Sequence, residues 1–353
     1  MAGRNAKAGY PLVAAVVADM VQSVGLGENM LISIVLWLLA GLLVAAALAV
    51  LALMLATWRI AAKAESLVPA CGKFVEIDGN RIHYVEEGDG RPIVFVHGLG
   101  AQLHHFRSTL FGRFGAGYRL IALDRPGSGY SVRASGATGR LPEQADIVRR
   151  FIEELRLERP LVVGHSLGGA IALALATRHP TTISGIALLS PLTHLEARGR
   201  QGFDLLYVPS PLLRRVLAYT VAIPLSLRYA PPTLRFIFAP QAVPTDYMVA
   251  GGGWLGLRPS HYFATSTDVV AVERDLGQIE RRYREIAMPA GILFGTGDQV
   301  IGEAVHGEPM LDKISGLDFE RIEGFGHMPQ FMDPERVVAF VQRIAARAFA
   351  KVN

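Results

Sequence analysis

Cysteine is almost absent. The single Cys71 among 353 residues cannot form an internal disulfide, and no Cys/His spacing suits a zinc site. Cys71 is compatible with a reducing compartment without requiring one, and no metal or cofactor is expected. Charge is also scarce: Asp, Glu, Lys and Arg make up 19% of the chain against 51% hydrophobic residues. With a mean hydropathy of +0.31, that balance excludes a disordered or fibrous protein, which needs low hydrophobicity and high net charge. Basic residues number 35 and acidic residues 31, a net charge of +4 and a pI near 9.3. This excess is spread thinly, with no Lys/Arg run, so no nucleic-acid partner is expected. Internal repeats and low-complexity tracts are missing too. The length allows one large domain or two modest ones.

The high hydropathy has one main source. From Met30 to Trp58 the chain reads MLISIVLWLLAGLLVAAALAVLALMLATW, without a charged residue. About 20 apolar residues cross the hydrocarbon layer, so residues 30–58 are long enough to span it with some tilt. A buried core helix seldom runs so far without a polar residue. A cleaved signal peptide would have an apolar region of about 7–15 residues directly behind a basic N-terminus. The segment is therefore expected to be an uncleaved, single-pass membrane helix, with residues 1–29 before it and a linker over 59–71. Arg59, Lys63 and Lys73 follow it closely, whereas Arg4 and Lys7 lie far from its other end. That bias places the following domain in the cytoplasm. Gly41, Ala45 and Ala49 share one helix face and would permit close helix–helix contact, a pattern common by chance in Ala-rich segments. Oligomeric state is left open. Residues 11–24 read as an amphipathic surface helix or as no regular structure.

After residue 70 the pattern changes to short β-rich runs separated by amphipathic helices. Lys73–Ile77 and Arg81–Glu86, joined around Asp78-Gly79-Asn80, predict a hairpin. Pro92–Val96, Leu120–Leu123, Leu161–Val163 and Ile186–Leu189 are short apolar runs of buried-strand type, and Ile292–Phe294 and Phe319–Ile322 add two more. Pro142–Leu155 and Ala170–Thr177 have helical spacing, and Asp333-Pro334 opens a C-terminal helix with an N-cap and a first-turn proline. Such alternation implies a parallel sheet covered on both faces and opened by an antiparallel hairpin. Residues 192–286 break the rhythm, being rich in Pro, Arg and aromatics. They are too many for an ordinary connection and too aromatic for a disordered one, so an inserted helical cap is expected. The core is then 72–191 and 287–353.

Gly164-His165-Ser166-Leu167-Gly168 matches G-x-S-x-G. The pentapeptide alone is a weak signal, but here an apolar strand leads in and an Ala-rich helix leads out. A strand-to-helix turn of this kind strains the serine and requires small neighbours, and the helix N-terminus favours negative charge beside Ser166. A hydroxyl is a poor nucleophile without a base, and the base needs an orienting acid. Asp298 closes GILFGTGD at a strand end, and His327 lies in EGFGHMPQ between the last strand and the terminal helix. Their order, Ser then acid then His, suits the roles. Backbone N–H donors for an oxyanion are expected from Leu167 and from the loop His97-Gly98-Leu99-Gly100, with Leu99 the choice and Gly98 its possible neighbour. His97 and Asp124 read as loop-stabilising residues, and the His165 side chain is expected to point away from Ser166.

The motifs HGLG, DRPGSGYS, GHSLGG, GTGD and GHMPQ, in this order, resemble the capped branch of the α/β-hydrolase family over residues 72–350. The resemblance implies an eight-stranded, mostly parallel sheet with helices on both faces and a Ser166–Asp298–His327 triad. It disfavours epoxide hydrolases and haloalkane dehalogenases, which are similar but use an aspartate nucleophile where this chain has Ser166. The membrane helix joined to such a domain is similar to membrane-anchored monoacylglycerol lipases and bacterial lipases. The expected activity is hydrolysis of carboxylic esters of lipid-like acyl substrates through an acyl-enzyme. The alternatives are carbon–carbon hydrolysis of ring-cleavage products, with Arg198 and Arg228 available to hold a dienoate; a perhydrolase, thioesterase or acyltransferase; and a catalytically idle membrane receptor. The expected partners are a small-molecule or lipid ester and, through residues 30–58, a membrane.

Overall fold

The structure, a computed structural model, describes residues 11–23, 27–195 and 203–350. Arg4, Lys7, Val24 and Arg198 lie outside the described residues. The chain forms two compact units, Met1–Leu53 and Met54–Asn353.

Helix α1 covers Pro11–Ser23, and α2 runs from Glu28 to Leu67. Among the described residues α2 is the one helix long and apolar enough to cross a bilayer. It does not stop at Trp58, where the sequence suggests a linker. WRIAAKAESL contains neither Gly nor Pro and is built largely of strong helix formers, so nothing breaks the ladder until Pro69 disfavours helical backbone at Val68. Within the second unit, Thr57, Ala64 and Val68 on this stretch are buried, whereas Trp58 and Arg59 are exposed.

The second unit is built on one sheet of eight strands: β1 (Lys73–Ile77), β2 (Asn80–Glu87), β3 (Arg91–Val96), β4 (Tyr118–Leu123), β5 (Leu161–His165), β6 (Gly185–Leu189), β7 (Ala290–Gly295) and β8 (Asp318–Ile322). Their order is β1-β2-β4-β3-β5-β6-β7-β8, with β1–β2 and β2–β4 antiparallel and every other pair parallel. The first hairpin turns at Asp78 and Gly79, both at positive φ (50° and 75°), the conformation that an Asp-Gly turn supplies. Successive residues of β3 point to opposite faces, and all after Arg91 are apolar. Val94 and Val96 join the core under α4 (Leu141–Glu154) and α5 (Leu167–Arg178), while Ile93 and Phe95 join the core under α11 (Pro334–Ala348). Both faces are covered, which is why the strands read as continuous apolar runs and not as alternation.

Short helices α3 (His104–Arg107), α9 (Glu303–His306) and α10 (Pro329–Met332) lie in loops. Between β6 and β7 the chain leaves the sheet for α6 (Pro211–Tyr219), α7 (Ala222–Phe238) and α8 (Pro259–Glu280). The insertion is helical, as its composition suggests.

Phe151 on α4 is fully buried and stands edge-on to Tyr84 of β2, with ring centroids 5.4 Å apart. Phe151→Ala should destabilise the second unit by about 3–5 kcal/mol, read as a lowered denaturant midpoint in detergent. An unchanged midpoint would contradict its place in the core.

Candidate active site

Strand β5 ends at His165 and α5 begins at Leu167, so Ser166 is the single residue that reverses the chain. Its φ of 52° is a conformation that L-residues avoid, at a cost of about 1–3 kcal/mol that its surroundings must offset. They do so through the backbone. Ser166 N–H donates to the Leu189 carbonyl (3.0 Å), and the Ser166 carbonyl accepts from Gly169 (2.9 Å) and Leu192 (3.0 Å). A side chain at Gly168 would collide with the carbonyls of Val96 and His97, so only glycine lets α5 start this close to the end of β3. Ser166 is half-buried at the N-terminus of α5, where backbone N–H groups favour negative charge.

Asp298 follows β7. Its Oδ1 accepts from the backbone of Val300 (2.8 Å) and Ile301 (3.1 Å), and its Oδ2 lies 2.7 Å from His327 Nδ1. Both carboxylate oxygens are thus committed. The Asp298 side chain is fully shielded and that of His327 nearly so. With Nδ1–H donated to the carboxylate, a neutral His327 presents Nε2 as its unprotonated nitrogen, the arrangement that a general base requires.

His165 joins this loop to the serine turn. A carbonyl can only accept, so His165 Nε2–H donates to the His327 carbonyl at 2.9 Å, and the two rings lie 4.9 Å apart. The side chain therefore lies against the His327 loop, a contact that sequence order alone does not reveal. Burial pulls the ionisation of His165 down to about 3, and its Nδ1 is buried without a partner.

The loop after β3 passes beside the serine. A Cβ on Gly98 would stand 3.0 Å from Ser166 Cβ and 3.1 Å from His165 Nδ1. Leu99 packs on the core below α5, and Leu167 opens that helix. His97 is buried with its Nδ1 2.9 Å from the Gly98 carbonyl, while its Nε2 accepts from Arg125 N–H (2.9 Å). Burial holds its protonation well below the ordinary histidine range, and the nearby Arg125 adds to that. The ring braces its own loop. Asp124 Oδ1 accepts from Leu103 N–H (2.8 Å), and Oδ2 accepts from Tyr130 N–H (2.9 Å) and meets His83 Nδ1 (2.7 Å), a stabilising place in its turn.

Several supporting residues escaped sequence reasoning. Arg125, buried, donates to the carbonyls of His97 (3.0 Å) and Gly98 (2.9 Å), to Gln144 (2.6 Å) and to Asp268 of α8 (2.6 Å). Gln102 bonds Gly251 (2.7 Å), the Tyr247 hydroxyl meets His105 (3.2 Å), and Gln241 accepts from Gly326 N–H (2.9 Å) and donates to the Gly324 carbonyl (2.8 Å). Phe238, Tyr247 and Phe331 stack edge to face beside these contacts. The insertion is thus fastened to the loops carrying Gly98 and His327. An arginine directly after the strand-end Asp124 looks like any other in the sequence, because its partner Asp268 lies 143 residues away. Arg228, on α7, is exposed over Tyr229 and outside this cluster. No group of three or more His, Cys, Asp or Glu side chains suited to a metal occurs among the described residues.

A family described as alpha/beta hydrolase fold matches residues 91–211. The magnesium-chelatase 30 kDa subunit of Rhodobacter capsulatus is 30% identical over 266 residues, covering 67% of this chain and 88% of that protein. A dihydrolipoyllysine-residue acetyltransferase component of an acetoin cleaving system from Cupriavidus necator is 38% identical over 125 residues, 35% of this chain and 33% of that protein. The chain spans well under half the length of several such curated relatives. Among solved structures, a membrane phospholipase A aligns with a TM-score of 0.60 at 24% identity, over 90% of this chain and 99% of that one.

His165 and His261 are both fully buried and held neutral, with burial pulling His261 down to about 4. In the unfolded chain each takes a proton near 6.5, so between that pH and about 4 the unfolded state binds more protons. Their contribution to stability is therefore full above pH 6.5 and declines as pH falls. Thermal unfolding in detergent should begin to slip below pH 6.5, and His261→Gln should flatten that slope. A wild-type midpoint constant down to pH 4.5 would overturn this account.

Proposed function

The chain belongs to the α/β-hydrolase family, and we propose that within it this protein is a membrane-anchored serine hydrolase of carboxylic esters with lipid-like acyl groups. One observation carries the reading: a serine at positive φ between β5 and α5, with a carboxylate-bound histidine whose loop is tied to the residue before that serine. In this reading Ser166 Oγ attacks the ester carbonyl as His327 Nε2 takes its proton, and Asp298 steadies the imidazolium. The backbone N–H groups of Leu99 and Leu167 receive the oxyanion. His327 returns the proton to the departing alcohol, and water, activated by the same imidazole, releases the acyl group from Ser166.

The substrate class rests on α2 and on the apolar, aromatic character of the insertion, which we read as a cap over 192–286. Helix α2 would hold the enzyme in the bilayer where long acyl chains reside, with the folded unit on the cytoplasmic side. The relatives that use an aspartate nucleophile remain disfavoured by Ser166.

A fluorophosphonate probe should label the wild type and not Ser166→Ala. Ser166→Ala and His327→Ala should each remove nearly all turnover of a short ester, and the double variant should lose little more, because the groups act as a unit. Multiplying losses would mean that the roles are wrong. Gly98→Ala should lower kcat by about tenfold or more without loss of folding, since an added methyl crowds the serine and a small displacement of reacting groups is costly.

Removing residues 1–53 should spare hydrolysis of soluble short esters but lower the rate on vesicle-dispersed acylglycerols several-fold, because tethering raises encounter without touching the transition state. The cut falls before Met54 because Thr57 and Ile60 pack within the second unit. Equal rates on vesicles would point to a water-soluble substrate.

A further inference from the structure

Helix α6 is turned inside out. Its charged Arg214 faces inward, buried, and donates to the Val208 carbonyl (2.7 Å), Ser266 Oγ (3.1 Å) and Thr267 Oγ1 (2.6 Å). Its outward face carries Leu212, Leu213 and Val216, of which Leu212 is 74% exposed. Leu205 just before it is 91% exposed, and Leu225 and Tyr229 on α7 are more than half exposed. In water this arrangement is the wrong way round. A guanidinium is desolvated while leucines at helical spacing stand in solvent, and a contiguous exposed apolar face of this kind marks an interaction surface.

Charge and position indicate what covers it. From residue 205 to 245 the chain has four arginines, of which Arg214 is buried, and no Asp, Glu or Lys, the nearest acids being Asp204 and Asp246 at the two ends, so α6 and α7 themselves are apolar and cationic. Arg215 and Arg228 are exposed on these helices. Within the second unit, the patch also adjoins residues 57–60, at the end of the apolar run. Thr57 Oγ1 donates to the Thr220 carbonyl between α6 and α7 (2.8 Å), and Ile60 packs with Ala218, Ala222 and Ile223. Exposed Trp58, an interface-favouring residue, lies between them. The apolar run is longer than the roughly 20 residues a bilayer requires, so its last residues reach the water interface beside this patch.

We propose that the outer face of α6 and the start of α7 lies in the surface of an anionic phospholipid bilayer, with its leucines among the upper acyl chains and Arg215 and Arg228 at the phosphates. It is the same bilayer that α2 crosses, so the inference rests on the membrane-anchored reading. Helices with an apolar face and cationic flanks settle about 5–10 Å into the headgroup boundary. The insertion, which is fastened to the Gly98 and His327 loops, then meets lipid directly.

The test uses the full chain in vesicles of phosphatidylcholine and phosphatidylglycerol, with Cys71→Ser and one new cysteine carrying an environment-sensitive fluorophore. Leu212→Cys probes the patch and Leu42→Cys probes α2. Glu158→Cys, before β5 and so at the opposite end of that strand from Ser166, is the water control. Nitroxide lipids labelled high on the acyl chain should quench the Leu212 label several-fold more than lipids labelled at the chain end. The Leu42 label should be quenched most by deep nitroxides, and the Glu158 label by neither. Replacing phosphatidylglycerol by phosphatidylcholine, or adding Arg215→Glu and Arg228→Glu, should weaken quenching at 212. Quenching at 42 but not at 212 would overturn the surface and leave the anchor standing. No quenching at either would overturn the anchored reading and the surface with it. A 212 label shielded from water only at high protein-to-lipid ratio would assign the face to a second copy, and equal quenching in neutral vesicles would refute the anionic preference.

Discussion

A guanidinium can be buried only if its donors are satisfied, and that requirement at Arg125 ties this molecule together. Its partners come from three parts of the chain: the carbonyls of His97 and Gly98 after β3, Gln144 on α4, and Asp268 on α8 of the insertion. Asp268 also holds Arg133 at 2.5 Å, so one carboxylate serves two arginines. Breaking such a buried set by removing one member leaves an uncompensated charge, at a cost of about 3–5 kcal/mol. The peptide carrying Gly98 therefore keeps its orientation beside Ser166 only while α8 is seated. Insertion and sheet form one electrostatic object, although sequence order interleaves them.

A second constraint is the neutrality of the site's histidines. His97, His105, His165 and His261 are all buried, and burial lowers the proton affinity of each. Neutral rings are hydrogen-bonding spacers: each offers one donor and one acceptor at a fixed separation. His97 and His165 each use a ring nitrogen on a main-chain carbonyl or N–H of a loop near the serine. Neutral imidazoles thus brace the loops near Ser166, with His327 distinguished among them by its carboxylate partner.

Much of this architecture is legible in the chain itself. Strand runs such as PIVFV and IALL are short, apolar and bounded by turns, and the observed strands each begin one residue earlier. The pairing of Asp298 with His327 is legible because both follow late strands, where parallel topology gathers loops at one end. Other features are not. Arg125 looks like any surface arginine until Asp268, 143 residues later, is folded against it. The helical stretch from Arg59 to Leu67 reads as a linker because its composition turns polar, yet helix propensity without a breaker carries α2 onward. The inverted α6 cannot be read either, since amphipathic spacing defines two faces without saying which one is inside.

The Gln241 side chain grips the His327 loop at two backbone points, Gly324 and Gly326, and the Ala239 carbonyl leaves no room for a side chain at Gly326. Residues 239–241 are therefore physically coupled to 324–326 even though two strands and the whole of α8 separate them. For modular exchange, a hybrid that takes its insertion from a relative would have to import this three-residue heel together with a matching glycine loop. Without both, the graft would fold beside a histidine set at the wrong height, and substrate range could not be transplanted by swapping helices alone.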